Sequence, residues 1–433
     1  MSSLSNHPIL SMALLVVLLH GQTAVEAQEG QGTGPTKWRT IDWNSKVTHV
    51  QPMTGIVLWT TNERVNDSPI QLEYSYMTYA QIVQADGSYD WGKLERLLEE
   101  VASRKHQLIL RWHDTYVGQK TGIPVSITGL PNYQTTLGKS EKKPTEFPDW
   151  SHPALRKFIL DFFTEFATRY DNDPRLAFVQ AGFGLWAEYH IYDGPMQLGK
   201  TFPSQEYQSE FVKHLNGTLK QTPWMISIDA ADNDRAPFEG NLDLLKLRFG
   251  LFDDSFNHKK HSKENEPNWR VLGIDRWKDS PTGGEFSFFE KVDQKKALDT
   301  NGPHGTPFEL HAKKFGISFM IGDAQPNYQK PDRIQSASLA CGYRFQLTQL
   351  ESNGASARMS FKNTGIAPIY YDAFPSIDGI RSAVSLKSLL PGESRQFEIS
   401  KGLKSQADSE TKLSIDCDRL VPGQSIEFDT ASR

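Results

Sequence analysis

Cysteine is nearly absent from this chain: its 433 residues include two, Cys341 and Cys417, both in the last quarter. With none before Cys341, thiol catalysis and a cysteine-ligated metal are excluded for most of the sequence. Basic stripes are missing too. Runs as short as Lys259-Lys260 and Lys313-Lys314, in a chain of net charge −5, leave no electrostatic footprint for nucleic acid. No GxSxG elbow, phosphate loop, HxH or HExxH occurs, so acyl transfer by a serine triad, nucleotide hydrolysis and the common zinc motifs lack a signature. Beyond residue 19 no apolar run is long enough for a membrane helix. Disorder is excluded as well, because 38% hydrophobic and 11% aromatic residues are spread along a chain that is only 23% charged.

What is present begins with an address. Ile9 to Leu19 is an apolar run of signal-peptide length, and Val25-Glu26-Ala27 offers small residues at a cleavage site. Residues 1–27 are expected to be a secretory signal, residues 28–47 a flexible N-terminal segment, and the mature protein secreted or periplasmic. In an oxidising compartment Cys341 and Cys417 could pair; the alternative is two buried free thiols. Asn66-Asp67-Ser68 and Asn216-Gly217-Thr218 match the glycan acceptor pattern.

Short apolar runs then alternate with helical patterns. Ile56–Trp59, Leu72–Met77, Leu108–Trp112, Leu176–Phe183, Trp224–Asp229, Phe249–Asp253, Gly283–Phe288 and Ile317–Asp323 read as strands. Leu94, Leu97, Leu98, Val101 and Ala102 recur at helical spacing behind a capping Asp90, and Phe158, Ile159, Phe162, Phe163 and Phe166 mark a second amphipathic helix. Strands alternating with helices over about 280 residues, without a GxGxxG after the first, predict an α/β fold, a (β/α)8 TIM barrel, across 48–332. From Tyr343 the pattern changes to short strands, at Arg344–Leu347, Ala357–Phe361, Ile369–Tyr371, Gln396–Ile399 and Lys412–Ile415, separated by turn signals such as Asn353-Gly354 and Pro391-Gly392. Residues 333–433 are therefore expected to form an immunoglobulin-like β-sandwich.

Barrel catalysis takes place at the C-terminal ends of the strands. Tyr76 falls there after the second strand, and Trp112, His113 and Asp114 after the third. Trp186, Glu188, Tyr189 and His190 follow the fourth, Asp229 the fifth, and Asp253 with Asp254 the sixth. Glu285 follows the seventh and Asp323 the eighth. A rim rich in acids and aromatics suits glycoside hydrolysis, in which one carboxylic acid protonates the leaving oxygen, a second carboxylate attacks the sugar or activates water, and aromatic faces hold the ring. Glu188, in an aromatic-flanked turn that would raise its pKa, is the candidate acid/base. Glu285, behind Gly283-Gly284, is the candidate nucleophile. Tyr76, Trp112, His113, Asp114, Trp186, Tyr189, His190, Asp229, Asp253 and Asp323 are candidate substrate contacts.

The stretches Tyr74–Tyr79, Asp86–Trp91 and Leu108–Trp112, with Tyr170-Asp171-Asn172-Asp173-Pro174-Arg175 leading to Glu188, resemble clan A glycoside hydrolases, notably family 42-type β-galactosidases. A closer resemblance, covering most of the chain from about Gly55, is to the bacterial family catalogued as domain of unknown function 4832. It is carried by Val179–His190, Gly283-Gly284-Glu285 and Cys341-Gly342-Tyr343-Arg344-Phe345. The resemblance implies a glycosidase-like barrel with an appended β-sandwich, Glu188 as acid/base and Glu285 as nucleophile. Two positions depart from it. Ala187 stands where clan A enzymes carry an Asn that binds the sugar 2-hydroxyl, and Ala187-Glu188-Tyr189-His190 replaces the Gly-Glu-Trp-His of the second family.

The expected function is an exported, cofactor-free, retaining glycosidase acting on a poly- or oligosaccharide, with the two glutamates about 5–5.5 Å apart. The alternatives are a non-catalytic carbohydrate-binding protein on the same barrel, and a metal-assisted hydrolase using His113, Asp114, His190 and Asp253.

Overall fold

Eight parallel strands close on themselves in chain order: β1 (Gly55–Trp59), β2 (Leu72–Thr78), β3 (Gln107–His113), β4 (Leu176–Ala181), β5 (Trp224–Ser227), β6 (Gly250–Phe256), β7 (Thr282–Phe286) and β8 (Phe319–Ile321). The last pairs with the first through Phe319–Gly55, Met320–Ile56 and Ile321–Val57, completing the expected barrel. The structure is a computed structural model that describes residues 37–403 and 411–431. The described residues from Trp38 onward form one unit, and the expected signal peptide, residues 1–27, lies outside the described residues. Among those residues no helix is long and apolar enough to cross a membrane.

The principal helices form where apolar residues recur every three or four positions. In α1 (Gly92–Ser103) Leu94, Leu98 and Val101 are buried, and the Asp90 carboxylate accepts the Gly92 N–H at 2.9 Å. Along α2 (Pro153–Tyr170) the buried face is Leu155, Phe158, Ile159, Phe162, Phe163 and Phe166. Side chains alternate across each barrel strand. Leu108, Leu110 and Trp112 of β3 pack outward under the helices, while Ile109 joins Val57, Tyr74, Met225, Phe252 and Phe319 inside the barrel. Space in that interior is tight: a Cβ on Gly283 would stand 2.5 Å from the Phe319 ring.

The C-terminal residues build two small sheets. One has five strands: Arg39–Thr40, β9 (Phe345–Ser352), β10 (Ala357–Asn363) and β13 (Ser394–Ile399) in antiparallel order, with β15 (Phe428–Thr430) parallel to β9. The other has three: β12 (Ile380–Arg381), β11 (Phe374–Ile377) and β14 (Leu413–Asp416). The expected strand Ile369–Tyr371 is irregular instead. Ile369 and Tyr371 are buried, and the Tyr371 hydroxyl donates to the Ala177 carbonyl at 2.5 Å, so these residues serve as a contact to the barrel.

Two segment boundaries move. The segment expected to be flexible pairs at Arg39–Thr40 with Ser352 and Glu351. The expected start of the β module, residue 333, falls inside α6 (Pro331–Leu339), whose Ile334 and Ala337 pack in the barrel's outer core and whose Ser338 hydroxyl accepts the Ile56 N–H at 3.0 Å. The cysteines do not pair. Both are free and buried, Cys341 in the outer barrel core and Cys417 in the core of the β module.

That second core is continuous with the barrel interior. Arg419 donates to the Leu176 carbonyl at 3.1 Å and to the Thr222 hydroxyl at 3.0 Å, and its own carbonyl accepts from the Gln107 amide at 2.7 Å. All three partners lie where β3, β4 and β5 begin. The β module thus closes the N-terminal end of the barrel and leaves the opposite end open.

Candidate active site

The open end holds a cleft of about 660 Å³ at the C-terminal ends of the strands, where Trp59, Tyr76, Glu188, Asp229, Asp254 and Glu285 come together. Its walls add Tyr116, Glu141, Trp186, His190, Tyr192, Arg235, Ser255, Phe288 and Phe289. Strand parity decides which strand residues reach it. In β2, Tyr74 and Tyr76 point inward. In β3, Arg111 shares the inward face of Ile109. In β6, Asp254 shares the inward face of Phe252, which turns its neighbour Asp253 outward.

Arg111 is the hub of the floor. Fully buried, it places Nη1 2.6 Å from Asp254 Oδ2, Nη2 2.9 Å from Asp254 Oδ1, and Nη1 3.1 Å from Glu188 Oε1. Its Nε donates to Gln180 at 2.7 Å, and the same amide oxygen accepts the Tyr74 hydroxyl at 2.7 Å. The guanidinium lies 4.1 Å over the Phe252 ring. This fork-shaped cation is satisfied on every side, the condition for a buried charge to be held in place.

Glu188 comes from the turn after β4, a strained piece of chain. Trp186, Ala187 and Tyr189 have φ of 54°, 63° and 62°, a left-handed conformation that costs non-glycine residues of order 1–3 kcal/mol each. Backbone bonds from Trp186 to the Thr115 carbonyl (3.0 Å) and from Tyr189 to the Phe183 carbonyl (2.9 Å) hold the turn. It folds so closely on β4 that a Cβ on Gly182 would stand 2.1 Å from the Ala187 oxygen. Burial, then the Asp254 charge, raises the Glu188 pKa well above the carboxylate range, against the opposing pull of Arg111, and Asp254 hydrogen-bonds the carboxyl. Glu285, at the end of β7, is pushed up to about 8 by burial and by Asp254, while Arg111 and a hydrogen bond from Trp59 act in the other direction.

Of the residues singled out from sequence, Tyr76, Trp186, Glu188, His190, Asp229 and Glu285 line this one cleft. The others stand elsewhere. Trp112 faces outward, its ring 4.8 Å from Phe162. Tyr189 is buried between Phe183 and Phe238. Asp253 accepts from Asn265 at 2.6 Å and Trp269 at 3.0 Å beneath α4 (His261–Leu272), and burial pushes it up to about 8. Asp114 is buried outside the cleft and raised to about 7 by desolvation. His113, on the same face of β3 as Arg111, is buried against the wall residues Tyr76 and Tyr116, its ring 5.4 and 5.7 Å from theirs, and desolvation lowers it to about 4. Asp323 accepts the Trp59 N–H at 2.8 Å and the Asn62 amide at 2.8 Å, which fixes the end of β1 beside Glu285.

This scatter removes the metal-assisted reading, because His113, Asp114, His190 and Asp253 do not share a centre. Among the described residues, one set of three has ligand atoms close enough for an ion: Glu290, Asp293 and His304. There Asp293 is already bonded to His304 at 2.6 Å and to the Ser287 hydroxyl at 2.6 Å. Arg111 was not selected from sequence, and Asp254 was placed on the rim without being chosen as a substrate contact; Trp59, Tyr116, Glu141, Tyr192, Arg235, Ser255, Phe288 and Phe289 were not selected either. For the first two the signal was present: an arginine inside an otherwise apolar strand, and the parity that separates Asp254 from Asp253. The long loop 115–150 contributes Tyr116 and Glu141 to the cleft, and Glu141 accepts the Tyr192 hydroxyl at 2.5 Å.

No family model and no curated protein matches the chain. Among solved structures it is similar to an endo-glycoceramidase II from Rhodococcus sp., at 10% identity and a TM-score of 0.41, over 89% of this chain and 100% of that one. It is similar as well to a GH5-4 broad specificity endoglucanase from an uncultured bacterium, at 11% identity and a TM-score of 0.40, over 69% and 91% of the two chains. A third is the catalytic domain of a β-amylase from Paenibacillus polymyxa, at 10% identity and a TM-score of 0.41, over 68% and 97%.

Proposed function

We propose that the protein is a retaining glycoside hydrolase in which Glu188 is the acid/base and Glu285 the nucleophile. The observation that supports this most is the pairing of two partly buried glutamates, one from the turn after β4 and one from the end of β7, in one aromatic-walled cleft at the C-terminal end of a closed barrel. Their protonation suits a division of labour. Both are raised, but Glu188 is hydrogen-bonded to Asp254 and holds its proton, whereas Glu285 receives a hydrogen bond from Trp59 and ionises at about 8. Asp254 is a poor nucleophile in this setting, since both its oxygens are engaged by Arg111.

In the first half of the reaction Glu285 attacks the anomeric carbon as the Glu188 proton passes to the leaving oxygen. In the second, water attacks the glycosyl ester, its proton returns to Glu188, and Glu285 is released. Trp59, Tyr76, Trp186 and Tyr192 offer faces or edges to the sugar. A cleft containing Glu141, Glu188, Asp229, Asp254 and Glu285 against Arg235 favours a neutral saccharide over a uronate or sulfated one. The apolar leader at 9–19 supports export to a secreted or periplasmic location.

A carbohydrate-binding protein without turnover is the second reading. Ala187 favours it, because that buried methyl group supplies no polar contact to the sugar 2-hydroxyl. Hydrolysis of a panel of aryl glycosides and polysaccharides by the parent protein, Glu188→Gln and Glu285→Gln decides between them. Turnover that falls by about 10²–10⁴ in both variants supports the enzyme. Saturable glycan binding without turnover, retained in both variants, supports the second reading.

A further inference from the structure

The two-glutamate reaction leaves Phe288 and Phe289 without a task. Both line the cleft, three and four residues beyond Glu285, and they are 61% and 76% exposed. Two neighbouring phenyl rings in water are unfavourable until something covers them, and such patches mark binding sites. The turn that carries them is braced from beneath. The Phe289 N–H donates to the Ser287 hydroxyl at 3.1 Å, and that hydroxyl donates to Asp293 at 2.6 Å. The Gln294 amide donates to the Phe286 and Ser287 carbonyls at 2.5 and 3.0 Å, and the Phe289 ring meets His258 edge-on at 5.4 Å. Buried polar groups therefore hold the two rings out at the mouth, beyond the half-buried Glu285.

The walls on either side of the cleft differ in chemistry. In the closed ring of eight strands β7 lies opposite β3, so the two phenyl rings face the side carrying Tyr116, after β3, and Trp186 and Tyr192, after β4. Those aromatics have polar company: Tyr192 donates to Glu141, and His190 and Asp229 stand on the same side. A sugar ring bears a hydroxyl on almost every carbon, so a sugar subsite combines an aromatic face with hydrogen-bonding groups at its edge. The β7 segment contributes Glu285 and two rings without a polar atom, and the Ser287 hydroxyl between them is buried and engaged by Asp293. A saccharide hydroxyl turned to that wall would lose water and gain no side-chain partner, whereas an alkyl or aryl group would be favoured there.

We propose that Phe288 and Phe289 form an apolar subsite, and that the substrate is an amphiphilic glycoside: a saccharide held on the β3–β5 side of the cleft and joined to an alkyl or aryl alcohol that covers the two rings. The cleavage of that bond rests on the glycosidase reading; the binding of the apolar group does not. The alcohol is the part that Glu188 protonates as it leaves toward the mouth. Contact with the rings, remote from the reacting carbon, supplies binding energy that an all-sugar chain would not obtain from this wall.

Two measurements test the subsite. In the first, calorimetry compares binding of n-octyl and ethyl β-glucosides and β-galactosides, the octyl compounds kept below their micelle concentration, to the parent protein, to the double variant Phe288→Ser/Phe289→Ser and to Phe288→Leu/Phe289→Leu. The octyl compound should bind about tenfold or more tighter than the ethyl compound in the parent, equally in the serine variant, and again tighter in the leucine variant, which keeps an apolar surface. No octyl preference in the parent, or one unchanged in the serine variant, overturns the proposal whether or not the protein is an enzyme. In the second, kcat/KM is compared for ethyl and octyl glycosides of the sugar that the parent hydrolyses, and for all-sugar oligomers of it. Ethanol and octanol are alike as leaving groups, so the ratio of the two reports contact with the rings, and it should follow the binding preference. An oligosaccharide hydrolysed with a higher kcat/KM than the octyl glycoside, and losing that advantage in the serine variant, makes the rings a sugar platform; it overturns the proposal and leaves the glycosidase reading standing. An octyl preference in binding without turnover of any glycoside overturns the glycosidase reading and leaves the apolar subsite standing.

Discussion

Arg111 and Asp254 grip each other through two parallel hydrogen bonds of 2.6 and 2.9 Å at the floor of the cleft, and the same guanidinium reaches Glu188 at 3.1 Å. One cation from β3 therefore compensates acids from two other strands' ends. Its loss would strand them in a buried setting. Arg111→Met is expected to destabilise the fold by about 3–5 kcal/mol, the cost of breaking a buried pair from one side. Arg111→Lys keeps the charge but loses the fork, and should fall in between. Urea unfolding of the three proteins measures this, and a change below about 1 kcal/mol in Arg111→Met would contradict the hub role.

The pH dependence of turnover follows from the two glutamates. Glu285 must be ionised to attack and is raised to about 8, so kcat/KM should climb as pH rises through about 8. Glu188 must stay protonated and is raised well above its usual range, so the rate should fall only at still higher pH. A bell centred on the alkaline side is the expected profile. A plateau already reached by about pH 5 would mean that Glu285 is not the group that must ionise.

The shared core between the barrel interior and the β module makes them one folding unit. Tyr371→Phe removes the 2.5 Å bond to the Ala177 carbonyl and should cost about 0.5–1.5 kcal/mol. A protein ending after α6 would expose the interior apolar cluster at the barrel base and should be insoluble or molten. Calorimetry of the full chain should give a single transition, while two separated transitions would show that the module folds independently.

Much of this molecule was legible in local pattern. Each barrel strand announces itself by a run of apolar residues bounded by turn formers, and α1 and α2 by a three-to-four spacing, because those signals depend on a few neighbouring residues. The placement of Glu188 and Glu285 at the ends of the fourth and seventh strands follows from counting along that pattern. Choosing between adjacent residues required more. Trp112 and Asp253 looked like site residues, yet Arg111 and Asp254 hold the places, since alternate side chains of a strand face opposite ways and one residue's error exchanges helix layer for barrel axis.

Other features were decided only by the tertiary structure. Cys341 and Cys417 could have paired as far as the sequence says, but the fold sends one to the outer barrel core and the other to the β module. Ile369–Tyr371 has the composition of a strand and becomes a contact to the barrel base, because its hydroxyl and apolar groups find partners there rather than in a ladder. The position of Arg111 between Asp254 and Glu188 joins residues separated by 143 and 77 positions. The chain by itself determined which segments become strands and helices and which residue types reach the rim. Closure of the sheet decided which side chains meet, because burial, charge pairing and proton affinity depend on neighbours that only the closed barrel brings together.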